Sequence, residues 1–182
     1  MSAPASPWVQ RWAHLVPTGA QVLDVACGSG RHLAWFAERG CSVTGVDRDD
    51  QALALAREAV ASAELLQADI EQGPWPWPGR RFDAVVVTNY LWRPLLPTLV
   101  ASVAPGGVLL YETFAAGNET VGRPSRPDFL LRPGELLQAV APALRVIGYE
   151  DGFLDTPPRF VQRVAAVREA AGPTVPARHL LP

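Results

Sequence analysis

The chain has 182 residues, of which 48% are hydrophobic and 19% are charged. This balance excludes an intrinsically disordered protein, and the length predicts one domain over residues 1–182 with flexible ends at 1–6 and 170–182. The formal net charge of −2 provides no general attraction for a polyanion, which disfavours nucleic acid and an anionic membrane surface as partners.

The sequence also lacks signals for a membrane, a secretory pathway or a metal. It contains no run of the roughly 20 apolar residues that a membrane span needs, and its first residues have no basic start or apolar core. The two cysteines, Cys27 and Cys41, lie in apolar surroundings that are typical of buried thiols in a reducing compartment. The histidines are scattered, so we expect a cytoplasmic protein without a metal site.

The apolar pattern predicts strands that alternate with helices. The predicted elements, in chain order, are an amphipathic entry helix 7–15, strand 21–26, helix 31–39, strand 42–46, helix 49–61, strands 64–68 and 82–87, helix 95–103, strand 108–113, helix 134–141, and strands 144–149 and 160–168. The last two strands follow each other across a turn at 152–158. This order predicts a mostly parallel, helix-flanked α/β sheet with one antiparallel strand.

A glycine turn after the first strand is the strongest functional signal. Gly28-Ser29-Gly30 lies between the apolar run 22–26 and a helical pattern that starts at Arg31. Such a turn lets the backbone approach a ligand at the carboxyl edge of a sheet. Leu33 stands where a dinucleotide fingerprint requires a third glycine, which argues against a nicotinamide cofactor.

Acidic residues recur at three of the predicted strands. Asp24 lies inside the first apolar run, Asp47 ends the second and Asp69 follows the third. A carboxylate within a strand is costly to bury without a partner, and one at a strand tip can accept hydrogen bonds from ribose hydroxyls. Each residue also has a structural interpretation, as a carboxylate that caps a turn or a helix.

Together these segments resemble the class I S-adenosylmethionine-dependent methyltransferases. Five segments carry the resemblance in the order and spacing of the family: 23–30 (LDVACGSG), 43–47 (VTGVD), 65–70 (LLQADI), 82–87 (FDAVVV) and 104–110 (APGGVLL). Segments between Asn89 and Arg132 are also similar to a bacterial subgroup of small enzymes related to the tellurite-resistance methyltransferases. The resemblance implies a Rossmann-like, seven-stranded sheet with helices on both faces and S-adenosyl-L-methionine as the cofactor.

The resemblance also implies a set of cofactor contacts. They are Asp24, Ala26, Cys27, Gly28, Gly30, Arg31, His32, Asp47, Arg48, Asp69, Ile70, Thr88 and Asn89. In this set, Asp24 would hold the amino group of the cofactor. Asp47 would bind the ribose, and Asp69 with Ile70 would meet the adenine.

The acceptor site is expected after strand 82–87 and in the irregular loop 115–133. The candidate acceptor-binding residues are Tyr90, Trp92, Arg93, Phe114, Asn118, Arg123 and Arg126, with Tyr90 also the candidate catalytic residue. Arg123 and Arg126 could clamp an acidic acceptor or simply be solvated. Trp75 and Trp77, in a proline-rich loop, could pack onto the domain or form an aromatic wall near the ligand.

The expected function is in-line methyl transfer to a small-molecule acceptor. The cofactor carries an activated methyl group, so the protein needs to position it more than to supply a catalytic base. Two alternatives stay open: a binding module or sensor without turnover, and, with less support, a nicotinamide-dependent oxidoreductase. The sequence leaves the acceptor atom open, and the oligomeric state open between monomer and homodimer.

Overall fold

The computed structural model describes residues 3–172, 175 and 177–182. The helices are α1 (Pro7–Trp12), α2 (Arg31–Ala37), α3 (Asp50–Ala59), α4 (Leu96–Ala101) and α5 (Glu135–Val140). The strands are β1 (Gln21–Val25), β2 (Ser42–Asp47), β3 (Glu64–Gln67), β4 (Phe82–Thr88), β5 (Val103–Phe114), β6 (Arg145–Asp155) and β7 (Pro158–Val167). Short 3-10 turns lie at Ala13–Leu15, Arg93–Leu95, Asn118–Thr120 and Pro127–Phe129.

All seven strands form one sheet in the order β3-β2-β1-β4-β5-β7-β6. Strand β7 runs antiparallel to both of its neighbours, and the other strand pairs are parallel. The predicted fold class is therefore confirmed. The strand order reverses between β1 and β4, and in open α/β sheets the crevice at such a switch point is where ligands bind.

Helices cover both faces of the sheet, as predicted. On one face, α1, α2 and α3 bury Trp8, Phe36 and Leu53 in a single apolar cluster. On the other face, α4 and α5 bury Leu99 and Leu136 in a second cluster. Each strand between them presents alternate side chains to the two clusters, which explains the near-continuous apolar runs in the sequence.

Among the described residues, no helix joins β3 to β4. The proline-rich loop that carries Trp75 and Trp77 covers the sheet where a helix would otherwise lie. Trp77 is buried and packs edge-on against Phe82, with ring centroids 5.9 Å apart. Trp75 packs in turn on Trp77 at 5.6 Å. The packing interpretation of these indoles is confirmed, since both belong to the cluster on the face of α4 and α5.

The predicted turn at 152–158 is wrong. Strand β6 continues to Asp155 and pairs with β7 up to Pro158, so that only residues 156 and 157 make the turn. Phe153 pairs with Phe160 across this hairpin, and their ring centroids lie 4.9 Å apart. Cross-strand pairing between the ends of β6 and β7 therefore outweighed the local turn signal of Gly152.

The two ends of the chain make contacts with the domain. Ala5 and Ser6 are buried, and the ring of His14 lies 2.8 Å from the carbonyl oxygen of Leu180. The predicted flexibility of 1–6 and 170–182 stays a prediction, and residues 1, 2, 173, 174 and 176 lie outside the described residues. Within the described part of the chain, no helix combines the length and the apolar character needed to cross a bilayer.

Gly45, in the middle of β2, provides a test of this packing. A methyl group added at Gly45 would lie 2.8 Å from both Cys27 Sγ and Leu33 Cδ1, and 2.9 Å from Leu65 Cδ2. We expect Gly45→Ala to lower the free energy of unfolding by about 1–3 kcal/mol, because well-packed interiors do not absorb an extra carbon without strain. Urea denaturation measures this change.

Gly122→Ala is the matched control, since nothing lies within 4 Å of the added carbon there. The control should change the free energy of unfolding by less than about 1 kcal/mol, in the stabilising direction if at all. Equal destabilisation by the two substitutions would contradict this account of Gly45.

Candidate functional site

A cavity of about 400 Å³ opens at the carboxyl edge of the sheet. It is lined by Ala26, Asp47, Arg48, Ala68, Asp69, Ile70, Glu71, Asn89, Tyr90, Leu91, Thr113, Phe114, Pro124 and Phe129. These residues follow β1, β2, β3, β4 and β5, so the cavity spans the predicted switch point. Its size falls in the range of sites for small molecules.

The cavity brings together part of the predicted cofactor set. Lining residues from that set are Ala26, Asp47, Arg48, Asp69, Ile70 and Asn89. The remaining predicted contacts lie next to the cavity in the chain, in β1, the glycine turn, α2 and the end of β4: Asp24, Cys27, Gly28, Gly30, Arg31, His32 and Thr88. Their roles as cofactor contacts stay predictions.

The glycine turn leaves β1 through a left-handed backbone. Ala26 has a φ of 54°, which is uncommon for a residue with a side chain, and Gly28 has a φ of 53°. Space in front of Gly28 is open, because no atom lies within 4 Å of where its Cβ would be. Gly30 serves a different purpose: a Cβ there would lie 2.9 Å from Ala56 Cβ, so its absence lets α2 pack closely on α3.

Asp24 carries a buried carboxylate that is only partly compensated. The residue is 1% exposed, and among the described residues its Oδ2 atom has no hydrogen-bond partner. The nearest cationic candidate is the ring of His32, whose Nδ1 lies 3.5 Å from Oδ2. Because an unpaired buried carboxylate is costly, this position favours a ligand that brings a cation or a strong donor.

His32 has a defined tautomer. The backbone N–H of Ser6 donates to His32 Nε2 at 3.2 Å, so the ring proton must lie on Nδ1 and face Asp24. The hydroxyl of Ser6 donates in turn to Glu112 at 2.7 Å, and Arg163 donates to the other oxygen of Glu112 at 3.1 Å. This polar chain ties the residues before α1 to β1, α2, β5 and β7.

Sequence reasoning assigned Ser6 to a flexible end and so missed its place in this chain. A local signal was present, since Ser6 stands before Pro7 and an amphipathic helix, and serine followed by proline is a common helix start. In the structure Ser6 caps α1 by accepting a hydrogen bond from the backbone N–H of Trp8 at 3.1 Å. The partner of Ser6 on β5 is Glu112, and no local pattern pairs these two residues, which are 106 positions apart.

The polar chain predicts the effect of Ser6→Ala. This substitution removes the cap of α1 and the hydrogen bond to Glu112, and we expect it to lower the free energy of unfolding by about 1–2 kcal/mol. Urea denaturation measures the change. Ser62→Ala, at an exposed serine, is the control and should have an effect below about 0.5 kcal/mol. If Ser6→Ala lowered the free energy of unfolding no more than the control does, Ser6 would not stabilise the residues before α1.

Asp47 and Asp69 support the backbone as well as line the cavity. Asp47 Oδ2 accepts from the N–H of Gly28 at 2.8 Å, which ties the glycine turn to the end of β2. Asp69 Oδ1 accepts from the N–H groups of Glu71 and Gln72 at 2.9 and 3.1 Å. A carboxylate oxygen accepts more than one hydrogen bond, so these contacts leave capacity for ligand hydroxyls. The cap of α3 is Asp49, not Asp47.

Cys27 and Arg31 complete the turn. Burial raises the pKa of the Cys27 thiol well above its usual range, and the carboxylates of Asp24 and Asp47 raise it further. The thiol therefore stays protonated and packs as a small apolar group. Arg31 donates to Thr88 Oγ1 at 3.3 Å and to the carbonyl oxygen of Pro4 at 3.4 Å, which closes the gap between α2 and the end of β4.

Tyr90 lines the cavity, and its hydroxyl lies near the carboxylate of Glu71. Burial raises the pKa of this hydroxyl, and the negative charge of Glu71 raises it further. It therefore stays protonated near neutral pH and can donate a hydrogen bond but not act as a base. Its catalytic role stays a prediction. Glu71 was not singled out from the sequence, although it follows Asp69 closely.

Most predicted acceptor residues lie outside the cavity lining. Phe114 and Tyr90 line it, whereas Trp92, Arg93, Asn118, Arg123 and Arg126 do not. Arg123 and Arg126 are exposed, and Arg126 pairs with Asp128 at 3.3 Å. Leu91, Thr113, Pro124 and Phe129 line the cavity as well. Leu91, Thr113 and Pro124 were missed, because local patterns do not show how the loop folds back.

Arg93 and Asn118 hold the loop in place. Arg93 donates to Glu135 at 2.6 Å and to the backbone carbonyls of Asp128 and Leu130, both at 2.8 Å. The side chain of Asn118 donates to the carbonyl of Pro124 at 2.9 Å. These bonds pin the two parts of the loop that carry Pro124 and Phe129 to the cavity.

The Arg93–Glu135 pair predicts a dependence on pH. The Arg93 guanidinium lowers the pKa of Glu135 from 4.5 to about 2. The pKa of Glu135 in the folded protein lies below that in the unfolded chain. The pair therefore contributes its full share to the free energy of unfolding above pH 4.5, and this share is lost as the pH falls toward 2. We expect Glu135→Gln to lower the free energy of unfolding at pH 7 by about 1–3 kcal/mol, as for a hydrogen bond between charged groups.

Urea denaturation across this pH range checks the prediction. The difference between Glu135→Gln and the unsubstituted protein should shrink as the pH is lowered from 4.5 to 2. Asp128→Asn is the control, since Asp128 and Arg126 form an exposed pair that should contribute less than about 1 kcal/mol. A difference that is independent of pH would contradict the role of the charge.

Comparison with known proteins shows similarity to methyltransferases. A family model described as a methyltransferase domain matches residues 22–107. A trans-aconitate 2-methyltransferase of Paracidovorax citrulli is 34% identical over 150 residues, which cover 76% of this chain and 57% of that protein. A malonyl-[acyl-carrier protein] O-methyltransferase of Serratia marcescens is 38% identical over 106 residues, which cover 55% of this chain and 40% of that protein. The chain spans about half the length of these curated relatives.

Solved structures show the same fold. TehB from Haemophilus influenzae superposes with a TM-score of 0.74 at 20% identity, covering 93% of this chain and 64% of that chain. A TehB-like SAM-dependent methyltransferase from Corynebacterium glutamicum superposes with a TM-score of 0.67 at 18% identity, covering 89% of this chain and 87% of that chain. Similarity at this level of identity establishes the shared fold.

Proposed function

The chain belongs to the class I S-adenosylmethionine-dependent methyltransferases, and on that premise we propose that it methylates a small-molecule acceptor in the cavity at the carboxyl edge of the sheet. The cofactor of this family is S-adenosyl-L-methionine. It supplies a methyl group already activated on a sulfonium sulfur. The chain itself has to bind the cofactor, orient the acceptor and exclude water from the site.

The observation that carries the proposal is the uncompensated carboxylate of Asp24. Its Oδ2 atom is buried and, among the described residues, lacks a hydrogen-bond partner. The ammonium of an amino acid would supply the missing charge and donors, and the open space in front of Gly28 gives a ligand access to the turn. These residues therefore fit the methionine part of the cofactor.

The other carboxylates fit the adenosine part. Asp47 and Asp69 follow neighbouring strands, line the same cavity and keep free acceptor capacity for hydroxyl and amino groups. Ile70 and Ala68 provide apolar surface beside them. The ends of the neighbouring strands β1, β2 and β3 thus offer contacts in turn to the amino acid, the ribose and the adenine of the cofactor.

The chain's part in the reaction is positioning. In-line displacement needs the acceptor to approach from the side opposite the sulfonium, and β4 and β5 supply the wall on that side of the switch point. Tyr90 stays protonated and so is a donor that can orient an acceptor. Buried Leu91 and Thr113 keep water away from this wall.

Asp24→Asn tests the proposal because it should affect the stability of the free protein and its affinity for the cofactor differently. Because it removes a buried charge that lacks a full partner, the substitution should leave the free energy of unfolding of the free protein unchanged or higher. It should weaken binding of both S-adenosylmethionine and S-adenosylhomocysteine by about 10- to 100-fold, the effect of losing a hydrogen bond between charged groups. Isothermal titration calorimetry and urea denaturation give the two quantities.

Asp50→Asn is the control, since the side chain of Asp50 is 69% exposed at the start of α3. It should leave both affinities unchanged. If Asp24→Asn destabilised the free protein and left the affinities unchanged, Asp24 would be structural. If the unsubstituted protein bound neither compound, the proposed function would be wrong.

A further inference from the structure

The cavity has two chemically different halves. Its charged residues, Asp47, Arg48, Asp69 and Glu71, follow β2 and β3. The half at the ends of β4 and β5 and in the segments that follow them, here called the acceptor half, consists of Asn89, Tyr90, Leu91, Thr113, Phe114, Pro124 and Phe129. Because β2 and β3 lie on one side of β1 while β4 and β5 lie on the other, the two sets occupy opposite ends of the crevice.

The acceptor half is apolar and partly aromatic. Leu91 and Thr113 are buried, Phe114 and Pro124 are half-buried, and the side chain of Phe129 is exposed at the mouth. Its polar side-chain atoms are the amide of Asn89 and the hydroxyls of Tyr90 and Thr113. Within the described lining, none of the residues of this half is charged.

Most cations around this half are bonded to other groups. Arg93 bonds Glu135 and two carbonyls, and Arg163 bonds Glu112 and Glu150. Arg126 pairs with Asp128 and lies 5.5 Å from the centroid of the Phe129 ring. Arg48, in the charged half, is near enough to Tyr90 to lower the pKa of its hydroxyl. Arg31 donates to Thr88 at the junction of α2 and β4, beside the turn that would receive the amino acid of the cofactor. Arg123 is exposed and does not line the cavity.

A carboxylate acceptor would therefore lose its hydration without gaining a counter-ion from the lining of this half. The cost of burying such a charge against an apolar wall is several kcal/mol. Flat apolar rings, in contrast, gain both burial and contact with aromatic faces such as Phe114 and Phe129. A hydroxyl on the acceptor can be oriented by Tyr90 or Thr113.

Resting on the proposed function, we propose that the acceptor is a small, uncharged, planar apolar molecule that carries a hydroxyl or a thiol, rather than a carboxylic acid. In the transfer, a lone pair of the acceptor oxygen or sulfur forms the bond to the methyl carbon. The bond from that carbon to the sulfonium sulfur breaks, its electron pair stays on sulfur, and the acceptor proton passes to water. The products are a methyl ether or thioether and S-adenosylhomocysteine.

The test compares two kinds of acceptor on the full chain. Catechol and thiophenol represent flat uncharged rings, and trans-aconitate represents a carboxylic acid. Binding of each to the protein saturated with S-adenosylhomocysteine is measured by calorimetry, and release of S-adenosylhomocysteine is measured with S-adenosylmethionine present. We expect at least one ring compound to bind at least tenfold more tightly than trans-aconitate and to be methylated.

Phe129→Ala and Phe114→Ala should each weaken binding of the ring compound at least fivefold and leave the affinity for S-adenosylhomocysteine unchanged. Phe153→Ala is the matched control, because its side chain is 47% exposed against 42% for Phe129 but lies on the β6–β7 hairpin. It should change neither affinity. Arg123→Gln should leave binding of the ring compound unchanged.

The outcomes separate this inference from the function on which it rests. Preference for trans-aconitate, with that binding lost in Arg123→Gln, would overturn the acceptor class while leaving methyl transfer intact. Binding of S-adenosylhomocysteine without binding of any ring compound would overturn it as well. Failure to bind S-adenosylmethionine or S-adenosylhomocysteine would instead contradict the proposed function itself.

Discussion

The buried carboxylate of Asp24 is the constraint around which the rest of the site is arranged. A charge inside a parallel sheet needs compensation, and the described residues offer only the His32 ring at 3.5 Å. The backbone N–H of Ser6 orients that ring by a hydrogen bond. The hydroxyl of Ser6 is in turn held by a hydrogen bond to Glu112 on β5. One costly group is therefore linked, through His32 and Ser6, to the folding of the N-terminal segment back onto the sheet.

The neighbouring carboxylates serve two purposes that sequence reasoning treated as alternatives. Asp47 holds the N–H of Gly28, and Asp69 holds the turn after β3, while both line the cavity. A carboxylate has acceptor capacity for backbone and ligand together, so the structural and the functional interpretations do not compete. The backbone bonds also orient these side chains before a ligand arrives, which reduces the entropy lost on binding.

Polar and apolar residues have different roles at the loop after β5: the polar ones hold its backbone, and the apolar ones line the cavity. Arg93 and Asn118, which the sequence suggested as substrate ligands, hold the loop through its backbone carbonyls, and their role toward a substrate stays a prediction. The apolar residues Pro124 and Phe129 thereby reach the cavity. A polar residue in a long loop is as useful for satisfying backbone groups as for binding, and only its partners distinguish the two roles.

The sequence by itself determined the fold class, the order of strands and helices, the glycine turn, and the acidic residues within β1, at the end of β2 and after β3. These features follow from local periodicity and from glycine and carboxylate chemistry at strand ends, and both are local properties. Only the tertiary structure decided that Ser6 joins the site, that the hairpin of β6 and β7 extends to Asp155, and that the acceptor half is apolar. Each of these depends on contacts between residues that are distant in the chain, and local patterns do not encode which distant groups meet.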